Sequence, residues 1–150
     1  MHSNFDSMET KLIGIEIGKL RNRLYRLQKQ CYVAEAETKL TVEEFILLNM
    51  INDKSDQISQ NIAIATGKNK SVVMRMIDSL ESKGLVVRTQ NPDDRRENLL
   101  NTTMEGEYVV AQYHAIERRI TENLTKDIST DKLNVFWEVL ATILEKAKKL

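Results

Sequence analysis

The amino-acid sequence predicts a mainly α protein with a small β wing: a winged helix-turn-helix flanked by N- and C-terminal dimerisation helices. Three features carry that expectation. Apolar residues recur at three- and four-residue spacings through most of the 150 residues, the period of helices that bury one stripe. Two short runs rich in strand formers, 85–90 and 98–102, bracket a charged turn and read as a hairpin. Both ends carry helical patterns with more apolar surface than a small central domain can cover, so a second chain is expected to cover the remainder. The expected boundaries are 1–36 for the N-terminal dimerisation helix and connector, 37–104 for the winged helix-turn-helix, and 105–150 for the C-terminal dimerisation helices.

A first helix is expected from Glu9 to about Gln30, where Ile13, Ile17, Leu20, Leu24 and Leu27 draw a single stripe. Thr41 followed by Glu44 is a capping-box signature that starts a second helix with Phe45, Leu48 and Ile51 inward. Gln57 to Thr66, with Ile58, Ile62 and Ala65, reads as a short third helix ending at Gly67. From Asn69 to Lys83, Val73, Ile77 and Leu80 face inward and leave Lys70, Ser71, Met74, Arg75 and Asp78 outward, until Gly84 ends the helix. LVVRTQ at 85–90 is a strand broken by Asn91, Pro92 and Asp93, with its partner at 98–102. A long helix follows Gly106 through Val109, Tyr113, Ile116, Ile120 and Leu124. A last one runs from about Thr130 to Lys149 with a broad face of Leu133, Phe136, Trp137, Leu140, Ile143, Leu144 and Ala147.

Composition narrows the function classes. With 41% hydrophobic and 29% charged residues, 5 Gly and 1 Pro, the chain is neither collagenous nor disordered. Its 22 basic and 22 acidic side chains cancel, so any electrostatic partner answers to a local patch. A single cysteine, Cys31, excludes an internal disulfide and a multi-thiolate metal site. The N-terminus has no basic and apolar leader pattern and no stretch is long enough to span a bilayer, so a cytoplasmic location without membrane contact is expected. No catalytic constellation, cofactor motif or metal site is expected. His2 and His114 are the only histidines and lack neighbouring ligands, GKNKS at 67–71 is not a complete phosphate loop, and adjacent Asp93 and Asp94 do not form a separated carboxylate pair.

The outward residues suit the major groove of double-stranded DNA. Asn69 offers an amide, Lys70 and Arg75 reach phosphate or guanine, Ser71 donates or accepts, and Met74 suits a thymine methyl group. Residues 68–96 hold seven cations and four acids, a local excess of +3. In the turn NPDDRR, Asp94 pairs with Arg96, while Arg95 or Arg96 reaches a minor groove or its phosphates. An exposed turn held by local ion pairs explains the same hexamer. The five cations between Lys19 and Lys29, unaccompanied by acids, fit either a solubilised helix face or attraction to the DNA backbone.

The ordered series KSVVMRMIDSLE, KGLVVR, NPDDRR and TMEG within 57–106 strongly resembles the MarR family of bacterial transcriptional regulators, and the likeness extends more weakly from 40–51 into both terminal helices. The resemblance implies an obligate homodimer reading a pseudo-palindromic operator. Asn69, Lys70, Ser71, Met74 and Arg75 would lie at the recognition surface, with Asp94 and Arg96 at the family's wing positions. It implies a sequence-specific regulator, a repressor released by a small lipophilic or aromatic effector; a winged-helix protein-interaction module and a small-molecule carrier are the alternatives. Tyr25, Tyr32, Tyr108 and Tyr113 are candidates for an effector pocket, against ordinary helix packing. Cys31 is a candidate redox site because some members sense peroxide through a cysteine near the first helix; its alternative is a structural role. Two departures stand out: Thr102 replaces a common leucine, and IAIAT at 62–66 is less polar than usual.

Overall fold

The computed structural model describes residues 11–53 and 67–150. Its elements are α1 (Ile13–Glu35), α2 (Val42–Asn52), α3 (Lys70–Ser82), β1 (Val86–Gln90), β2 (Asn98–Thr102), α4 (Met104–Thr125) and α5 (Thr130–Lys149). The helix expected at 57–66 lies outside the described residues. Packing divides the chain into two units, Met1–Ile116 and Glu117–Leu150.

In the first unit, α1 runs five residues past its expected end because its last turns are anchored. Tyr32 is buried with its ring edge-on to Tyr113 at 4.6 Å and to Phe45 at 5.9 Å, while Phe45 stacks on Tyr113 at 5.1 Å. The Tyr113 hydroxyl donates to the Thr38 carbonyl (2.7 Å) and accepts from the Leu40 amide (2.8 Å), fixing the connector between α1 and α2. Lys39 Nζ donates to the Val33 and Ala36 carbonyls, matching acceptors that a helix end leaves open. Thr41 Oγ1 then caps α2 by accepting from the Glu44 amide at 3.1 Å.

β1 and β2 pair antiparallel, from Val86 opposite Thr102 to Gln90 opposite Asn98, and the hairpin lies with β1 against α3 and β2 against α2. Val86 and Leu100 enter the core alongside Leu48, Ile51, Ile77 and Leu80. Thr102 donates its hydroxyl to Asn52 Oδ1 at 3.2 Å, linking β2 to the end of α2.

α4 starts at Met104, which places Gly106 inside its first turn rather than before it. Thr103 sets that start. Its amide donates to the Leu85 carbonyl (3.0 Å), and its hydroxyl donates to the Gly84 carbonyl (2.6 Å) and accepts from the Gly106 amide (3.0 Å). The helix backbone thereby approaches the root of the wing so closely that a Cβ on Gly106 would stand 2.1 Å from the Leu85 carbonyl oxygen.

The second unit holds the end of α4 and all of α5. Ser129 Oγ caps α5 by accepting from the Lys132 amide at 3.3 Å, and Lys146, Lys148 and Lys149 complement the negative end of its dipole. No residue of α5 is buried, and Val135, Phe136, Trp137, Val139 and Leu144 are exposed. The N-terminal half of α1 is likewise uncovered at Ile13, Ile17 and Leu20. Among the described residues no helix is long and apolar enough to cross a membrane.

Candidate nucleic-acid interface

α3 buries Val73, Ile77 and Leu80, so the opposite side of the helix is available to a ligand. Lys70, Ser71, Arg75 and Asp78 are exposed there, and Met74 is half-buried. Asn69 also caps the helix. Its Oδ1 accepts from the Ser71 amide (2.9 Å) and the Ser71 hydroxyl (3.0 Å), making it the N-cap of the helix and leaving only its Nδ2 as a donor to a partner. Ser71 directs its proton to the cap and offers its lone pairs outward.

The turn between the strands is ordered by its own side chains. Asp94 Oδ1 accepts from the Arg96 amide (3.0 Å) and faces Arg96 Nε at 3.3 Å; Asn91 Oδ1 accepts from the Asp93 amide (3.0 Å). Gln90 Nε2 closes the base by donating to the Arg95 carbonyl at 3.3 Å. Arg95 and Arg96 remain exposed, with the Arg96 side chain 91% accessible even while paired. An exposed ion pair of this kind adds little stability. Its effect is to shape the turn and to neutralise one acid beside the two arginines.

The cations of 68–96 divide into two groups. Lys83 is exposed but engaged by the chain itself, its Nζ meeting Glu44 Oε2 at 2.7 Å and the Lys39 carbonyl at 3.1 Å. Arg88, whose alternation on β1 places it on the same face as buried Val86, donates through Nη2 to Asp78 and lies with Nε 3.4 Å from Glu81 Oε2. The Nε contact is an ion pair without hydrogen-bond alignment. Setting aside Lys83, Arg88 and the two acids that Arg88 neutralises leaves Lys68, Lys70, Arg75, Arg95 and Arg96 against Asp93 and Asp94. The excess of +3 therefore survives and is concentrated at the start of α3 and the wing tip.

The four tyrosines are not brought into one pocket. Tyr32 and Tyr113 are closed into the aromatic core, and burial pushes the Tyr113 phenol above its ordinary value of 10.0, aided by the charge of Glu44 and opposed by the bond from Leu40. Tyr25 is exposed beside Glu43, whose negative charge raises its pKa. Tyr108 is exposed and accepts from Gln112 at 3.3 Å. Cys31 is a free, half-buried thiol on α1. Among the described residues, no cluster of His, Cys, Asp and Glu is arranged to hold a metal ion.

Arg88 with its two carboxylates, and the Thr103–Gly106 junction, are the features that sequence reasoning missed. A signal for the first was present, since an arginine two positions after an inward valine on a strand must face the same side.

Comparison with known proteins finds similar sequences and folds. Residues 40–98 match the model of the MarR family. The chain is 33% identical over 96 residues to the HTH-type transcriptional regulator YdcH of Bacillus subtilis, a match covering 61% of this chain and 65% of that relative. It superimposes on a mutant MarR from E. coli complexed with operator DNA with a TM-score of 0.73 and 25% identity, covering 88% of this chain and 93% of that one. The PcaV transcriptional regulator from Streptomyces coelicolor, in complex with its natural ligand, shares the fold with a TM-score of 0.69 at 19% identity over 93% of this chain and 99% of that one.

Proposed function

We propose that this chain is a member of the MarR family and a sequence-selective DNA-binding transcriptional regulator that acts as a homodimer. The observation that carries the reading is the outward start of α3 beside a preshaped wing, with Lys70, Arg75, Arg95 and Arg96 exposed on these two features. Lys70, Ser71, Met74 and Arg75 form the base-reading and phosphate-contacting surface, with Asn69 chiefly positioning Ser71. Arg95 and Arg96 approach the flanking backbone or minor groove, and Asp94 holds their turn. The related MarR bound to operator DNA supports this use of the fold.

A second copy covers the apolar faces left open on α1 and α5, and two lobes then address half-sites about 34 Å apart along the duplex. Such a protein performs no catalytic step and works in the cytoplasm. The ligand complex of PcaV supports release by a small molecule. Such an effector must favour the DNA-incompetent arrangement of the lobes over the competent one to act. Exposed Tyr25 and Tyr108 are the better candidates to contact it, since Tyr32 and Tyr113 are buried in the aromatic core.

Mapping genomic fragments bound by the protein, followed by titration of the best duplex, tests the reading. Sequence-selective binding that weakens steeply with salt is expected, by about 0.9 in logarithmic slope for each phosphate neutralised. Arg75→Ala and Arg96→Ala should each reduce affinity while preserving the circular dichroism spectrum. Wild-type affinity in both folded variants at about 0.15 M salt would reject the assigned surface.

A further inference from the structure

Asp78 stands where an acid opposes the proposed function. It lies three residues beyond Arg75 and four beyond Met74, on the outward side of α3, and its side chain is 63% accessible. At a spacing of three, a carboxylate and a guanidinium on one helix are within reach of each other. Left alone, Asp78 would both pair with Arg75 and present negative charge toward a phosphate backbone.

The fold supplies a competitor. Arg88, from the neighbouring strand and only 21% accessible, takes Asp78 through Nη2 and lies against Glu81 through Nε. Among the described residues, the Arg75 side chain makes no hydrogen bond or ion pair. One half-buried arginine thus neutralises two carboxylates one turn apart, and the planar fork of its donors suits that double contact better than a lysine would.

We propose that Arg88 is a positioning residue that holds Asp78 away from Arg75, so that Arg75 reaches DNA unpaired. The proposal rests on the DNA-binding reading and assigns Arg88 no contact with the duplex. Removing Arg88 releases Asp78 to capture Arg75, and removing Asp78 as well restores what was lost.

The test uses the full-length protein and the best duplex that the wild type selects from a randomised library. Arg88→Met keeps an apolar stem at the site and should weaken binding about 5- to 10-fold at about 0.15 M salt. The double variant Arg88→Met with Asp78→Asn should return to within about 2-fold of wild type. In an Arg75→Ala background, Arg88→Met should add at most about a 2-fold loss, because the residue through which it acts is gone.

Unchanged affinity in Arg88→Met, failure of Asp78→Asn to rescue it, or a full loss persisting without Arg75 would each overturn the proposal. If circular dichroism shows Arg88→Met unfolded, Arg88→Lys takes its place, with the same rescue required of Asp78→Asn. A wild type that selects no sequence removes the DNA reading and this inference together. Selection by the wild type followed by any of the contrary outcomes removes the inference alone.

Discussion

Gly106 and Tyr113 show how single residues fix the lobe. At Gly106 the argument is one of distance: a methyl group 2.1 Å from the Leu85 oxygen meets backbone, which yields less easily than a flexible side chain. Gly106→Ala should therefore destabilise by about 3 kcal/mol, the upper end of overpacking costs, read as a lower denaturation midpoint in urea. For Tyr113 the argument is pairing and burial. Tyr113→Phe leaves the Leu40 amide and Thr38 carbonyl without their partner and should cost about 1–3 kcal/mol at pH 7. The pH dependence has a definite sign. Because the folded pKa lies above 10.0, the folded state retains this proton longer than the unfolded chain does. The stabilisation is complete below the unfolded value and lost as pH rises through the folded one. Urea melts taken upward from pH 9 should show the wild type losing stability more steeply than Tyr113→Phe.

At the scale of elements, the start of α3 joins stability to the proposed recognition. Asn69→Ala removes the acceptor for two donors of Ser71 and should cost about 1 kcal/mol in thermal or chemical melts. Ile77→Ala, wholly within the core, should cost about 2–5 kcal/mol. The contrast repeats what could be read from sequence. The stripe Val73, Ile77, Leu80 and the turn at Gly84 follow from local periodicity and backbone freedom, so the helix and its outward face were legible. The strand pair was legible for the same reason. Less visible were features that depend on a distant partner: Tyr32 extends α1 through rings on α2 and α4, and Glu44, which suggested a capping box, meets Lys83 instead. Counting charges along 68–96 gave the excess of +3, yet only the fold separates Lys83 and Arg88, paired with Glu44, Asp78 and Glu81, from Arg75 and the wing arginines. The same limit applies to Asn69, whose cap to Ser71 depends on a local geometry that the sequence reading did not include.

For the whole molecule, the exposed apolar faces make a demand that surface charge does not meet. Phe136 and Trp137 adjoin at 5.0 Å on a helix with no buried residue, and Trp137 is half-exposed. Aromatic side chains of that size contribute strongly where a partner covers them, and contiguous exposed patches mark association sites. The wild type should sediment as a dimer at micromolar concentration. Trp137→Glu introduces a charge that an apolar interface must desolvate, so it should shift the equilibrium toward monomer while leaving the far-ultraviolet spectrum unchanged. DNA binding provides a second readout. In a dimer, engagement of one half-site raises the effective concentration of the other lobe, an advantage of about 100-fold or more when the geometry fits. Trp137→Glu should lose that advantage on a two-site duplex and bind it little better than a single half-site, although α3 and the wing are untouched. A monomer retaining full two-site affinity would show that pairing through this face is not what brings two lobes to one operator.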